Sequence, residues 1–493
     1  MIASITALLA VTVALVLVAL LVASLALTGP DWVTAVAVGM LFLNVGVLAT
    51  LAGGSSITPM LPYLLLLLPA LYQVLVNRAP VIWGWPMTAM LTFALVAALS
   101  TVVSSRPGDS FPTLVQWLLE GLIFFFALTN SIRTLSALRR CIQALVVAGA
   151  VVGLFVAYQQ RQGNFYDTYL GLAQVSAPYD ITSSSSSVLS DGVADGSFRA
   201  AGMLGEPNFF AMVMTALTPW AAYLVITARG LARRMAWAIA GMLASYAVFV
   251  TYSRGALLAA GAVLVLLALW GVLPRKALIY LSAAGALAVM AVPTLADRLA
   301  TLGSLAGGGP SEDASAAGRL SEVEAAWNVF ATHPFVGVGP GQFPLYYQRY
   351  VSLTGGSVHS GEGARNAHNI VLGLAADIGL LGLGAFVILV TVVVVGLARA
   401  RSHTRLRGVA TAALVSVCFY LGCSAFLHLA YARYLWLYLA LSTAIISLAL
   451  GEDTTDPPTG SQLRDAEAED PGAPSGPARH RLQGAELPLN GPR

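Results

Sequence analysis

The chain has 493 residues, of which 57% are apolar and only 10% charged, with a formal net charge of +3. Its apolar residues come in runs longer than the core helix of a soluble protein needs, which excludes a soluble enzyme and predicts an all-α polytopic membrane protein. The small net charge points to no nucleic-acid partner, because basic residues in such a chain report orientation before they report partners.

A span needs about 20 apolar residues to cross roughly 30 Å of hydrocarbon. Segments 33–52, 57–76, 87–104, 112–129, 141–158, 208–227, 236–252, 256–273, 277–294, 378–398, 408–428 and 432–450 meet this. The opening stretch 2–28 adds one long span or a short hairpin. It is too long for the apolar core of a signal peptide and no small-residue cleavage site follows, so it is expected to be retained. The expected total is about 12–14 transmembrane helices. The chain then divides into N-terminal spans (1–158), a polar loop (159–206), a second set of spans (207–294), a large polar loop (295–368), C-terminal spans (369–450) and a tail (451–493). The tail is rich in Pro, Gly, Asp and Glu and is expected to be disordered.

Arginines cluster at Arg133, Arg139 and Arg140, at Arg229, Arg233 and Arg234, at Arg275 with Lys276, and at Arg399, Arg401, Arg405 and Arg407. Alternating the spans puts all four clusters on one side, which the positive-inside rule makes cytoplasmic. Both large loops then face outward, and the tail is cytoplasmic. Within 159–206, the run Ser183 to Ser187 reads as a flexible surface stretch. Within 295–368, residues 319–332 show helical spacing, with Leu320, Val323, Trp327 and Phe330 on one face, so a small extracytoplasmic cap with short helices is expected. Cys141, Cys418 and Cys423 lie in apolar segments without ligand spacing and are expected to be core packing.

No G-x-x-x-x-G-K-[ST] occurs, and the one lysine follows Arg275, so no P-loop drives this protein. No D-x-D occurs either, which argues against a metal-held nucleotide sugar. Arg199 and Arg254 stand apart from the cytoplasmic clusters, at the outer rim. A guanidinium is permanently charged and presents a planar fork of donors suited to phosphate oxygens, so two of them facing the outer leaflet are candidates for holding a diphosphate. The alternative for either arginine alone is a snorkelling span end.

The large loop carries H-P-F-V-G-V-G-P-G-Q-F at 333–343, where Gly337, Gly339 and Gly341 allow a tight turn or a close approach to a ligand. His333 reads as a local cap. His368 and Asn369, with Gly379 and Gly382, form H-N-x9-G-x-x-G where the loop re-enters an apolar segment. A histidine at a lipid-water boundary is a candidate base, and Asn369 is placed either to orient the ring or to cap the following helix. Asp377 lies inside this motif and is expected to hydrogen-bond near His368. Arg319 and Glu322, three apart on the loop helix, read as a solvated pair. Glu120 sits within a span, where an ionisable group is costly and therefore a functional candidate. His333, His359, His368 and Glu362 match no compact metal-ligand spacing, so no metal is expected. Tyr346, Tyr347, Tyr350 and Trp327 are weak candidates for stacking on sugar faces.

The ordered set R-x-x-G-x-x-x-x-P-N at 199–208, S-R-G at 253–255, the tryptophan helix with H-P-x-x-G-x-G-x-G-x-F at 333–343, and H-N-x9-G-x-x-G at 368–382 resembles the O-antigen ligase and polymerase superfamily, which includes bacterial protein O-oligosaccharyltransferases. The agreement runs over about 199–398. The resemblance implies transfer of a preassembled glycan from a polyprenyl (undecaprenyl) diphosphate to a glycan, lipid or protein acceptor at the outer face of a bacterial cytoplasmic membrane, without cofactor, metal or nucleotide. By the same resemblance, Arg199 and Arg254 engage the donor diphosphate and His368 activates or positions the acceptor hydroxyl. A single-transfer ligase and a chain-extending polymerase share this kit, and the ligase is favoured on the H-N-x9-G-x-x-G agreement. A small-anion transporter and a glycan-binding protein without turnover remain as alternatives from other classes.

Overall fold

A computed structural model describes residues 29–51, 58–176, 198–274, 276, 279, 314–351, 367–425 and 433–455. The opening stretch 2–28, the expected span 277–294 apart from Ile279, the serine run 183–187, His359, Glu362 and the tail after Thr455 lie outside the described residues.

The elements of the first half are α1 (Pro30–Phe42), α2 (Val45–Leu51), α3 (Leu61–Leu71), α4 (Trp85–Val103), α5 (Pro107–Trp117), α6 (Phe124–Ser131) and α7 (Leu135–Gln162). A short antiparallel ribbon follows, β1 (Gln174–Ser176) and β2 (Arg199–Gly202), with Ser176 opposite Arg199. Then come α8 (Pro207–Thr227), α9 (Leu231–Phe249), α10 (Arg254–Leu269), α11 (Ala314–Thr332), α12 (Phe343–Val351), α13 (Ile370–Ala400), α14 (Arg407–Ser424) and α15 (Arg433–Thr455). Seven helical segments among the described residues are long and apolar enough to cross a membrane: α4, α5 through α6, α7, α8, α13, α14 and α15. Three shorter apolar ones are α1, α3 with its extension to Val76, and α10. The chain is a multi-pass, all-α membrane protein, as the apolar runs predict. A helix satisfies its own backbone donors and acceptors, which hydrocarbon cannot do.

Large apolar side chains such as Leu95, Val102, Ile226, Leu269 and Ile388 are exposed, as suits helices that face hydrocarbon. The interior contains an aromatic cluster among its aliphatic side chains. Phe93, Trp117, Phe386 and Trp436 pack edge-on or tilted at centroid distances of 4.5–5.8 Å. Buried hydroxyls and the indole of Trp220 use backbone or side-chain acceptors across helices: Tyr434 donates to the Phe42 carbonyl, Tyr438 to that of Val213, and Trp220 Nε1 to Ser416 Oγ. The three cysteines are free thiols, two of them buried.

Some spans differ locally from the expected unbroken helices. Segment 33–52 is broken at Asn44, whose φ of 59° suits an asparagine in the left-handed region and whose amide donates to the Met203 carbonyl. Between α5 and α6, residues Leu118–Ile123 wind as a π-helix containing Glu120. Glu120 is buried, accepts from Gln116 Nε2 at 3.2 Å, and is coupled electrostatically to Tyr63 and Arg433. It therefore serves as a buried partner within the bundle.

The two ends of the bundle are chemically distinct. At one end Arg140 pairs with Asp31 at 3.1 Å, Arg139 donates to the Thr227 carbonyl, and Arg401 donates to that of Val272. Arg139 and Arg401 thus bond to backbone at the end of α8 and just beyond α10. Arg199, Arg254, His368 and the glycine motifs occupy the opposite end.

Candidate active site

The site end is built from three helix starts. At α8, Glu206 is the cap: its carboxylate accepts from the backbone N–H of Asn208 at 3.1 Å and of Phe209 at 2.5 Å, and from the Asn208 side-chain amide at 2.8 Å. A carboxylate there offsets the orphan N–H groups and the positive end of the helix dipole, and Pro207 needs no partner for a missing N–H. At α10, Ser253 caps through Oγ, which accepts from the Ala256 N–H. At α13, Asn369 caps, its Oδ1 accepting from Val371 and Leu372 at 2.9 and 3.0 Å. Of the two roles expected for Asn369, the cap is the one its oxygen performs.

Asn208 joins the first two starts. Its Oδ1 accepts from Arg199 Nη2 at 2.8 Å and from Ser253 Oγ at 2.9 Å. Arg199 Nε also donates to the Thr251 carbonyl at 2.9 Å, and the Ala200 N–H donates to that of Val250. The R-x-x-G-x-x-x-x-P-N and S-R-G motifs are therefore one hydrogen-bonded unit, with Arg254 following directly on Ser253. Both arginines are half-buried at this rim. Gly202 in the first motif is required: its φ is 53°, and a Cβ there would overlap the Phe210 ring.

The third start is reached through the end of α14. Asn369 Nδ2 donates to the Ala425 carbonyl at 3.1 Å, and two residues earlier Cys423 Sγ makes a long 3.9 Å contact to the Ala256 carbonyl, in the first turn of α10. A continuous path of contacts thus links the histidine corner to the arginine corner. His368 itself has φ 40°, a conformation that costs a non-glycine residue about 1–3 kcal/mol and persists only when its surroundings impose it. Tyr252, just before Ser253, is also left-handed, with φ 51°.

His368 Nδ1 lies 2.5 Å from Glu322 Oε2. This corrects the expectation of a solvated Arg319–Glu322 pair. The Glu322 side chain is 2% exposed, on the buried face of α11 with Ala325, Ala326 and Val329, whereas Trp327 is 57% exposed. The large apolar residues suggest the opposite face from sequence. The alanines instead let α11 approach its neighbours closely, and that rotation turns Glu322 inward.

The glycine loop is a docking element. Helix α13 is interrupted at Gly379 (φ 66°, ψ −169°), and the loop fills the break. Val338 N–H donates to the Ala376 carbonyl and Gly339 N–H to that of Asp377, while Leu380 and Leu381 donate to the carbonyls of Pro334 and Phe335, all at 2.8–3.1 Å. A Cβ on Gly337 would overlap the Asp377 backbone, and one on Gly379 the Phe335 carbonyl. Gly341 and Phe343 N–H donate to the two carboxylate oxygens of Asp377, at 3.0 and 2.9 Å. Asp377, expected beside His368, thus anchors the loop. Ser100 on α4 and Ser104 directly after it donate to the loop carbonyls of Val336 and Val338 at 2.6 Å. Gly382 sits under the Ile378 side chain. His333 Nδ1 lies 3.0 Å from Thr332 Oγ1 and 3.3 Å from the Val329 carbonyl, a local role as expected. Tyr347 and Tyr350 are buried, and the Tyr346 and Tyr350 hydroxyls meet Ser105 and Thr332, so these tyrosines pack the cap. Among the described residues, no three His, Cys, Asp or Glu side chains gather.

Glu322, Asn208, Ser253 and Glu206 are the residues that sequence reasoning left without a role at the site. An acidic residue directly before Pro207 was a cap signal, and Glu322 shares helical spacing with Ala325, Ala326 and Val329.

A search of curated proteins finds no match to this chain. The family model described as O-antigen ligase matches residues 239–387, a segment that contains Arg254, the glycine loop, His368 and the break at Gly379, and leaves Arg199 outside. The match over those residues agrees with the resemblance of the ordered motifs to the O-antigen ligase superfamily.

Proposed function

We propose that the protein transfers a preassembled glycan from a polyprenyl diphosphate carrier to an acceptor hydroxyl, as a ligase, at the outer face of the cytoplasmic membrane. The arginine-rich end then faces the cytoplasm and the site end faces outward. The observation that carries this reading is the joining of the Arg199 and Arg254 motifs through Asn208, with the His368 corner one helix end away.

In the reaction, the bond between the anomeric carbon and the diphosphate oxygen breaks, and the diphosphate leaves with the bonding pair. Arg199 and Arg254 stabilise the negative charge that accumulates there, in surroundings of lower dielectric than water. The acceptor oxygen bonds to the anomeric carbon while its proton passes to the neutral imidazole of His368, a contribution of typically ~10²–10⁴-fold. No step in this scheme calls on a metal or a nucleotide.

The test is product analysis after incubating the reconstituted protein with a native polyprenyl-diphosphate glycan and membrane extract, beside His368→Ala. A single transferred glycan, lost in the variant, is expected. A ladder lost in the variant would make the protein a polymerase with the same chemistry. Intact donor in the presence of native extract would refute glycan transfer and favour a transport or binding role.

A further inference from the structure

Resting on the reading of His368 as the base, we infer that Glu322 is its positioning residue, fixing the tautomer and direction of the imidazole. An ionised carboxylate has only acceptors, so a bond at 2.5 Å to Nδ1 requires the proton to sit on Nδ1. The neutral ring then carries its lone pair on Nε2, the nitrogen on the opposite edge, which is the one able to take a proton from a hydroxyl. Exposure fits this division. The carboxylate is almost fully buried at 2%, whereas the His368 side chain is 35% exposed, so the ring bridges a closed interior and an open site. Burying a carboxylate costs free energy unless hydrogen bonds compensate, and here the histidine supplies one.

The register of the two elements explains how Glu322 reaches His368. The Glu322–His368 pair joins residues 46 apart in sequence. The same offset of 46 recurs where Pro334 accepts from Leu380 and Phe335 from Leu381. From the histidine pair to the break in α13, the α11 side and the α13 side therefore advance in step and in parallel. The glycine loop, locked into the break by Asp377 and by Gly337 and Gly379, clamps the far end of this arrangement. In this way H-P-x-x-G-x-G-x-G-x-F sets the register that brings Glu322 to the ring. The left-handed backbone of His368, between buried Ala367 and the cap Asn369, is held by the same pair of elements.

The experiment uses the full chain, reconstituted, with the polyprenyl-diphosphate glycan and native membrane extract, and compares wild type, Glu322→Gln, Glu322→Asp and His368→Ala. The side-chain ¹⁵N resonances of His368 are identified among the six histidines by their loss in His368→Ala. The expected result is the Nδ1–H tautomer in the wild type and a loss of that signature in Glu322→Gln. With it, kcat should fall ~10²–10³-fold and donor KM change less than about threefold, because the base and not the diphosphate site is disturbed. Glu322→Asp, which keeps the charge, should recover part of both. If Glu322→Gln does not fold, Glu322→Asp carries the comparison, with a smaller shift of both readouts in the same direction. An unchanged His368 signature, or a changed signature with kcat within about threefold of wild type, would overturn the inference while leaving the proposed function intact. Full transfer by His368→Ala would instead overturn the proposed base, and with it the role assigned to Glu322.

Discussion

Asp377→Asn separates a docking role for the glycine loop from a ligand-cradle role. The Asp377 side chain is fully buried at 0% exposure, and each carboxylate oxygen takes one loop N–H, at 3.0 Å from Gly341 and 2.9 Å from Phe343. The isosteric amide keeps one acceptor and turns an NH₂ group against the other N–H. One hydrogen bond to a charged group is lost, the remaining one becomes neutral, and a buried donor is left facing a donor. Together these amount to about 2–4 kcal/mol against the docked loop. Local opening should therefore become ~30- to ~700-fold more frequent. Hydrogen exchange of the Gly341 and Phe343 amides reads this directly, because exchange through local opening reports the free energy of that opening. Transfer should fall as well, since the loop sets the register between α11 and α13. Amide protection within about threefold of the wild type would refute the docking account.

His368→Ala should abolish transfer with donor binding retained, whereas Arg254→Ala should weaken donor engagement; unchanged turnover in either variant would count against its assigned role. Asn208→Ala removes the acceptor shared by Arg199 and Ser253 and should raise donor KM by about 10-fold or more, the scale of a lost charged hydrogen bond; a wild-type KM would show that Arg199 is held without it. Gly379→Ala places a Cβ against the Phe335 carbonyl at a positive φ, so proteolysis within 333–343 should accelerate, and an unchanged cleavage rate would mean that the break tolerates a side chain.

Hydropathy in the sequence determined the membrane-spanning helices, because hydrocarbon demands long apolar runs and leaves the backbone little choice but helix. The positions of Arg199, Arg254, His368 and the glycines were equally legible, since each is tied to a local pattern. Their partners were not. Asn208 bridges residues 9 and 45 positions away, and Glu322 meets a ring 46 residues on, distances over which periodicity carries no information. The buried face of α11 differs from the one its large apolar residues suggest, because side-chain size governs a periodicity reading, whereas the packed structure favours the small alanines that permit close approach. The glycine motif reads from sequence as a tight loop more readily than a cradle, and the break at Gly379 supplies the backbone groups that occupy it. The chain's composition marked it for a lipid environment, because long apolar runs need hydrocarbon, and only packing decided where helices break, which ends meet and which carboxylate faces the histidine.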